Sequence, residues 1–262
     1  MKQVLTIAGS DSGGGAGIQA DLKAMSANGV FGMSVITSIT AQNTKGVTAV
    51  YDLPVSVIES QLDAIFDDFE VAAVKTGMLS SAAIVEAVSR KLAQYKVSTL
   101  VVDPVMIAKS GHVLLQPDAV EWVKTSLIPL ALVVTPNIAE AERLSGVSVR
   151  SIPDARQAAK IIQKLGCRYV LIKGGHLLAE QATDLLYDGR FFTVYKGEFI
   201  DTPHTHGTGC TYASAIAAHL ARGKPLPEAV QAAKVYITDA IRHSLAIGHG
   251  KGPTNPFFFL PQ

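Results

Sequence analysis

Val4-Leu5-Thr6-Ile7-Ala8-Gly9-Ser10-Asp11-Ser12-Gly13-Gly14-Gly15-Ala16-Gly17-Ile18-Gln19-Ala20-Asp21 runs from an apolar strand through a glycine loop into a helix. Residues 4–8 are apolar without alternation, as in a strand covered on both faces. Residues 18–28 then carry apolar side chains at helical spacing. The same unit recurs along the chain. Further buried strands are predicted at 33–40, 72–75, 100–102, 132–135 and 169–172, and helices at 55–69, 80–95, 118–126 and 153–165. Ser151 is placed to cap the last of these helices and Gly166 to end it. A βαβα succession implies an α/β fold with a mostly parallel sheet and helices on both faces. Runs at 183–187 and 191–196 flank Asp188-Gly189, a type I′ hairpin signal, and helices over 208–222 and 226–243 follow. With no repeat, low-complexity tract or linker, residues 1–262 read as one domain.

Composition narrows the function. Lys plus Arg number 23 against 22 Asp plus Glu, a formal net charge of +1, so the basic excess needed for nucleic acid or an anionic membrane is missing. The two cysteines, Cys167 and Cys210, have no CxxC spacing, which argues against a disulfide scaffold or structural zinc and for a reducing cytoplasm. The N-terminal segment is too short before its glycines for a signal peptide, and no apolar run approaches the roughly 18 residues of a membrane span. A hydrophobic share of 48% against 17% charged residues therefore belongs to a core.

In open parallel sheets ligands bind beyond the carboxyl ends of the strands, and the informative residues follow the apolar runs here. The first loop is not a Walker A loop, because no Gly-Lys-Ser/Thr follows. Gly15-Ala16-Gly17-Ile18-Gln19-Ala20 fits G-x-G-x-x-A, but residues 33–42 lack the acidic residue that a dinucleotide site needs. Two readings stay open: a flexible turn, or a loop that lets backbone approach a small substrate, with Asp21 one helical turn further in. His204-Thr205-His206-Gly207-Thr208-Gly209-Cys210-Thr211 precedes an alanine-rich helix over 212–221. Glycines at a helix start expose convergent N–H groups where the macrodipole favours an anion, the donor set that a transferring phosphoryl group requires. Cys210 falls in the first turn, where a thiol pKa of about 8.5 is expected to fall; the alternative is a small Cys packed under a tight turn. Asp103 and the Asn137-x-x-Glu140 pair follow strands and place oxygen ligands where hydrated Mg²⁺ would sit, although Glu140 also suits a first-turn carboxylate facing the helix dipole. Lys173 ends a buried strand and adds a cation to the same edge.

Together these residues resemble the ribokinase-like kinases and, within them, the hydroxymethylpyrimidine/phosphomethylpyrimidine kinases of thiamine biosynthesis. The resemblance spans nearly the whole chain. It rests on Ala8-Gly9-Ser10-Asp11, residues 14–23, Thr40-Ala41-Gln42-Asn43-Thr44, Lys75-Thr76-Gly77-Met78-Leu79, Val102-Asp103-Pro104-Val105-Met106, Thr135-Pro136-Asn137, Lys173-Gly174-Gly175-His176 and residues 205–211. It implies a ribokinase-like αβα sandwich, ATP and Mg²⁺, two successive phosphorylations of the pyrimidine alcohol, and a homodimer. It also implies an anion hole at Gly207, Thr208 and Gly209 with Cys210 as catalytic base, and Mg²⁺ organised by Asp103, Asn137 and Glu140. Lys173, Thr208 and Lys109 are implied to meet ATP. Gly9, Ala16, Asp21, Gln42, Met78 and Val105 are implied to line the pyrimidine pocket. Independently, an aminopyrimidine edge offers a donor beside an acceptor, and the Gln42 carboxamide presents the complementary pair; a strand-end cap is its other reading.

Residues 107–114, with Lys109, Ser110 and Gly111, match the family's flap. Many relatives have Pro at the place of Ser12 and Asp at the place of His112, departures expected to lie away from the chemistry. Relatives that also phosphorylate pyridoxal carry a second Cys in the flap, where this chain has Ala108, which points away from vitamin B6 kinase activity. A non-catalytic pyrimidine or nucleotide sensor would need neither Cys210 nor the carboxylates.

Overall fold

The computed structural model describes residues 1–106, 115–175 and 181–261. Its strands form one nine-stranded sheet in the order β3-β2-β1-β4-β5-β6-β7-β8-β9. These are β1 (Gln3–Asp11), β2 (Phe31–Asn43), β3 (Gly46–Asp52), β4 (Val71–Thr76), β5 (Leu100–Val102), β6 (Val133–Val134), β7 (Tyr169–Lys173), β8 (Gln181–Tyr187) and β9 (Phe192–Glu198). The inner pairs from β2 to β7 are parallel, while β3, β8 and β9 join antiparallel at the edges.

Apolar residues at adjacent strand positions explain the layering, because successive side chains leave a strand on opposite faces. Val4, Val101, Val133 and Leu171 enter one core beneath α1 (Gly17–Ala27), α7 (Thr208–Ala221) and α8 (Leu226–Arg242). Their neighbours Leu5, Val102, Val134 and Ile172 enter the other core. It lies beneath α2 (Val55–Phe66), α3 (Ala82–Gln94), α4 (Pro117–Trp122), α5 (Ile138–Ser145) and α6 (Ile152–Gln163). The expected αβα sandwich is therefore observed. Among the described residues, no helix is long and apolar enough to cross a membrane.

Three local expectations are corrected. β3 has no counterpart in the sequence reading: residues 48–51 of this edge strand are exposed and only Gly46, Val47 and Asp52 are partly buried, so burial leaves no apolar pattern. The helix predicted at 118–126 is broken: α4 passes into a π-helical turn, Val123–Leu127, and a 3₁₀ turn, Ile128–Leu130. At Asp188-Gly189, pairing closes at Tyr187 and Phe192, which leaves a four-residue loop in place of a two-residue type I′ turn. Asp188 Oδ1 accepts from the Arg190 and Phe191 amides (2.7 and 2.6 Å) and so stabilises the longer turn.

The topology also creates a crevice. β1 pairs with β2 on one side and β4 on the other, so the loops leaving β1 and β4 diverge at a topological switch point.

Candidate active site

Asp11 organises the first glycine loop. Its Oδ1 accepts from the Gly13 amide at 2.8 Å, and its Oδ2 accepts from Gly15 and Ala16 at 3.1 and 2.8 Å. The same Oδ2 lies 2.9 Å from His206 Nε2. Burial works to raise this carboxyl, but His206 and the loop amides outweigh it and hold the pKa below its ordinary value. The loop opens into α1 through Gly17 at φ +57°, where a Cβ would collide with the Gly9 carbonyl.

The second glycine loop locks onto the first. Gly207 caps α7 with φ 76°, and a Cβ there would collide with the Gly15 carbonyl oxygen. Glycine is required on both counts. Thr208 Oγ1 turns back to donate to the Thr205 carbonyl at 2.8 Å. Beyond it, a Cβ built on Gly209 would lie 3.4 Å from Lys173 Nζ and 3.5 Å from Asp103 Oδ2. The start of α7, the positive end of the helix dipole, thus faces an acid–base pair from β5 and β7.

That pair is tight. Lys173 Nζ donates to Asp103 Oδ1 at 2.6 Å, and Thr135 Oγ1 donates to the same oxygen at 3.1 Å. Burial opposes the charge of Lys173, but Asp103 and then Glu140 prevail and raise its pKa. Glu140 is buried, and desolvation pushes its carboxyl up to about 7 against the pull of Lys173, with Asp103 adding to the rise. Two carboxylates beside one lysine leave an acidic excess suited to a hard cation.

Asn137 and Glu140 also form a capping box at α5. Asn137 Oδ1 accepts from the Glu140 amide at 3.0 Å, and Glu140 Oε2 accepts from the Asn137 amide at 2.8 Å. Glu140 is thus a first-turn carboxylate of α5, as its alternative reading has it, and Asn137 is bonded to it in the cap. Among the described residues, no group of three His, Cys, Asp or Glu is arranged as a metal cage. The donor set fits an ion that keeps its waters on one or two carboxylates, as Mg²⁺ does.

Cys210 sits partly buried one residue past Gly209. The expected fall of its pKa is corrected. Burial pushes the thiol up to about 11, opposed by Lys75 and the Gly17 amide and reinforced by Asp21 and Asp103.

Asp21 is fully buried, and its carboxylate accepts from Thr6 Oγ1 (2.6 Å), Lys75 Nζ (2.9 Å) and Ser214 Oγ (2.8 Å). It clamps β1, β4 and α7 behind the lining. Lys75, also fully buried, has no role assigned from the sequence; its signal is a lysine inside the otherwise largely apolar strand 71–76. Burial opposes its charge, but Asp21 outweighs that and its pKa is raised.

The remaining expected pocket residues gather at the crevice. Gly9 lies against Met78, since a Cβ on Gly9 would come within 2.8 Å of Met78 Cε. Ala16 donates its amide to Asp11, and Val105 turns back on Asp103 through its own amide at 2.8 Å. Gln42 lies at the end of β2, its carboxamide nitrogen 3.4 Å from His206 Nε2. Ser12, expected to be remote, holds the Gln42 backbone at both ends: it donates to the carbonyl at 2.8 Å and accepts from the amide at 2.9 Å. The flap residues 107–114, including Ala108, Lys109, Ser110, Gly111 and His112, and also His176, lie outside the described residues. A cavity of about 260 Å³ lined by Phe66, Tyr95 and Lys96 lies at the opposite end of β4 and contains none of these groups.

A switch-point crevice, an interlocked glycine loop at a helix start and a Lys–Asp pair facing it define a ribokinase-like phosphotransferase. The chain is 54% identical over 260 residues to the hydroxymethylpyrimidine/phosphomethylpyrimidine kinase of Haemophilus influenzae, covering 97% of this chain and 96% of that protein. A crystal structure of phosphomethylpyrimidine kinase from Clostridium difficile matches with a TM-score of 0.82 and 49% identity, covering 92% of this chain and 100% of the other. An ADP complex of Bacillus subtilis pyridoxal kinase matches with a TM-score of 0.91 and 41% identity over 99% of this chain and 98% of the other. The phosphomethylpyrimidine kinase family model matches residues 11–255, and the chain belongs to that family.

Proposed function

We propose that this chain transfers the terminal phosphoryl group of ATP to 4-amino-5-hydroxymethyl-2-methylpyrimidine and then phosphorylates the resulting monophosphate. The observation that carries the catalytic part is the bare Cα of Gly209, set between the start of α7 and the Lys173–Asp103 pair. Any side chain there would occupy the space beside the donors that a phosphoryl group needs. Phosphoryl transfer asks little covalent chemistry of the protein; positioning and charge stabilisation dominate.

The roles follow from placement. The α7 amides at Gly207, Thr208 and Gly209 and the ammonium of Lys173 receive the charge that develops on the transferring group. Cys210, one residue on, takes the hydroxyl proton as its thiolate. Gly9, Ala16, Gln42, Met78 and Val105 enclose the heterocycle. Asp103 and Glu140 would hold Mg²⁺, and Asn137 fixes Glu140; the ion supplies neutralisation of triphosphate charge. Two free thiols, Cys167 and Cys210, fit a reducing cytoplasm. Exposed Ile39, Val50 and Tyr51 on the β2–β3 edge support a homodimer, which sedimentation would test.

A coupled ADP-release assay across the hydroxymethylpyrimidine, its monophosphate and pyridoxal tests the reading. The pyrimidine and its monophosphate should both turn over, with pyridoxal at least about a hundredfold less efficient, because unpaired polar groups in a hydrogen-bonding pocket discriminate strongly. Equal efficiency on pyridoxal would remove the pyrimidine assignment.

A further inference from the structure

His206 stands between the two glycine loops and the end of β2, where two hydrogen bonds conflict. Its Nε2 is 2.9 Å from Asp11 Oδ2 and 3.4 Å from Gln42 Nε2. Asp11 is an ionised, acceptor-only group, so Nε2 must carry the hydrogen toward it. A carboxamide nitrogen is also donor-only, and two donors then face each other. The other end of Gln42 has the converse problem. The Thr40 hydroxyl has one hydrogen for two acceptors, the Ser10 carbonyl at 2.9 Å and Gln42 Oε1 at 3.0 Å, so one of them is left without it.

One rotation resolves both. Turning the Gln42 carboxamide by a half-turn places its oxygen where it shares the single His206 Nε2–H with Asp11 in a three-centre bond, the shorter arm going to Asp11, and its nitrogen toward the free lone pair of Thr40 Oγ1. Each group then meets its complement. The main chain of Gln42 is already pinned by Ser12, so the side chain is the remaining freedom.

We propose that His206 is a specificity-determining positioning residue: held by Asp11, it fixes the Gln42 carboxamide with oxygen toward the imidazole and nitrogen toward Thr40. In that orientation one amide hydrogen and one oxygen lone pair remain. These complement an aminopyrimidine edge, whose ring nitrogen accepts while its amino group donates. The inference deepens the proposed function and rests on its assignment of Gln42 to the heterocycle.

The test compares kcat/KM for the aminopyrimidine alcohol with kcat/KM for its analogue lacking the amino group, in wild type, His206→Ala, His206→Gln, Thr40→Val and Gln42→Leu. Wild type should prefer the amino compound by at least about a hundredfold. His206→Ala should reduce that preference at least tenfold, with KM for ATP within about twofold. His206→Gln, whose amide nitrogen reaches toward the place of Nε2, should restore most of it. Thr40→Val should also reduce the preference, because the turned carboxamide loses its acceptor; this arm decides if His206→Ala fails to fold. Undiminished preference in His206→Ala or in Thr40→Val overturns the proposal. If Gln42→Leu also keeps the full preference, the assignment of Gln42 itself has failed.

Discussion

Replacing Cys210 by alanine separates a base from a packing residue, and the geometry sets the size of the effect. Burial pushes the thiol up to about 11, so at pH 7 only about one molecule in ten thousand carries the thiolate. Reaching that form costs about 5 kcal/mol at neutral pH, from four pH units at about 1.4 kcal/mol each. The sign follows directly: the proton is bound below about 11, so a step that needs the thiolate accelerates as pH rises. Single-turnover rates at saturating ATP and pyrimidine should climb about tenfold per unit between pH 7 and 10. Cys210→Ala should lose at least about a hundredfold at pH 9 and show no such slope, since general-base catalysis contributes roughly 10² to 10⁴. Cys210→Asp should recover part of the rate with a flatter profile, because a carboxylate is ionised across that range. Alkylation by iodoacetamide should follow the wild-type slope and be blocked by bound pyrimidine. A Cys210→Ala enzyme of near wild-type rate, or with an unchanged slope, would refute the assignment. Transfer would then proceed by positioning and electrostatics alone.

Gly207→Ala should lower the melting temperature by several degrees and abolish most activity, because a left-handed φ costs about 1–2 kcal/mol and the new Cβ collides with the Gly15 carbonyl; differential scanning fluorimetry checks it. Asp103→Asn and Glu140→Gln should each raise the Mg²⁺ needed for half-maximal rate by about tenfold or more, and unchanged titrations would make both carboxylates structural. Lys75→Met should destabilise by about 3–5 kcal/mol because Asp21 is left buried without its counter-charge, while Lys75→Met with Asp21→Asn should be the milder change; urea unfolding of wild type and the two variants decides this.

The α/β alternation was legible because strands buried on both faces write continuous apolar runs, and Leu5, Val102 and Ile172 lie in the core as those runs require. The positions beyond the strand ends were legible for the same reason: topology sends Asp103, Asn137 and Lys173 to one edge once the strands are known. What escaped was interaction at long sequence separation. Asp11 and His206 are 195 residues apart, and nothing in either motif announces that they meet. Lys75 was visible as an anomaly within an apolar strand, but its partner on α1 was not. The thiol of Cys210 was misjudged because helix position and burial act in opposite directions there, and burial is not legible from a first-turn position. β3 was missed because it packs no core face.

The two glycine loops are best understood as one object. Gly207 rests on the Gly15 carbonyl, Asp11 binds His206, and Gly17 directs its amide at Cys210. Under the proposed roles, each contact joins the loop that encloses the acceptor to the loop that receives the phosphoryl group. Behind them, Asp21 ties α1 to α7 through Ser214, one helical turn past Cys210. A misplacement in either loop therefore moves the other, and the reacting hydroxyl, the thiol and the α7 amides shift together. For transfer that depends on alignment more than on covalent catalysis, such coupling keeps the acceptor in register with the donor through both phosphorylations. It also explains the glycines at the junction: a Cβ on Gly207 would strike the Gly15 carbonyl and one on Gly15 the His206 ring, so a side chain at either would part the loops.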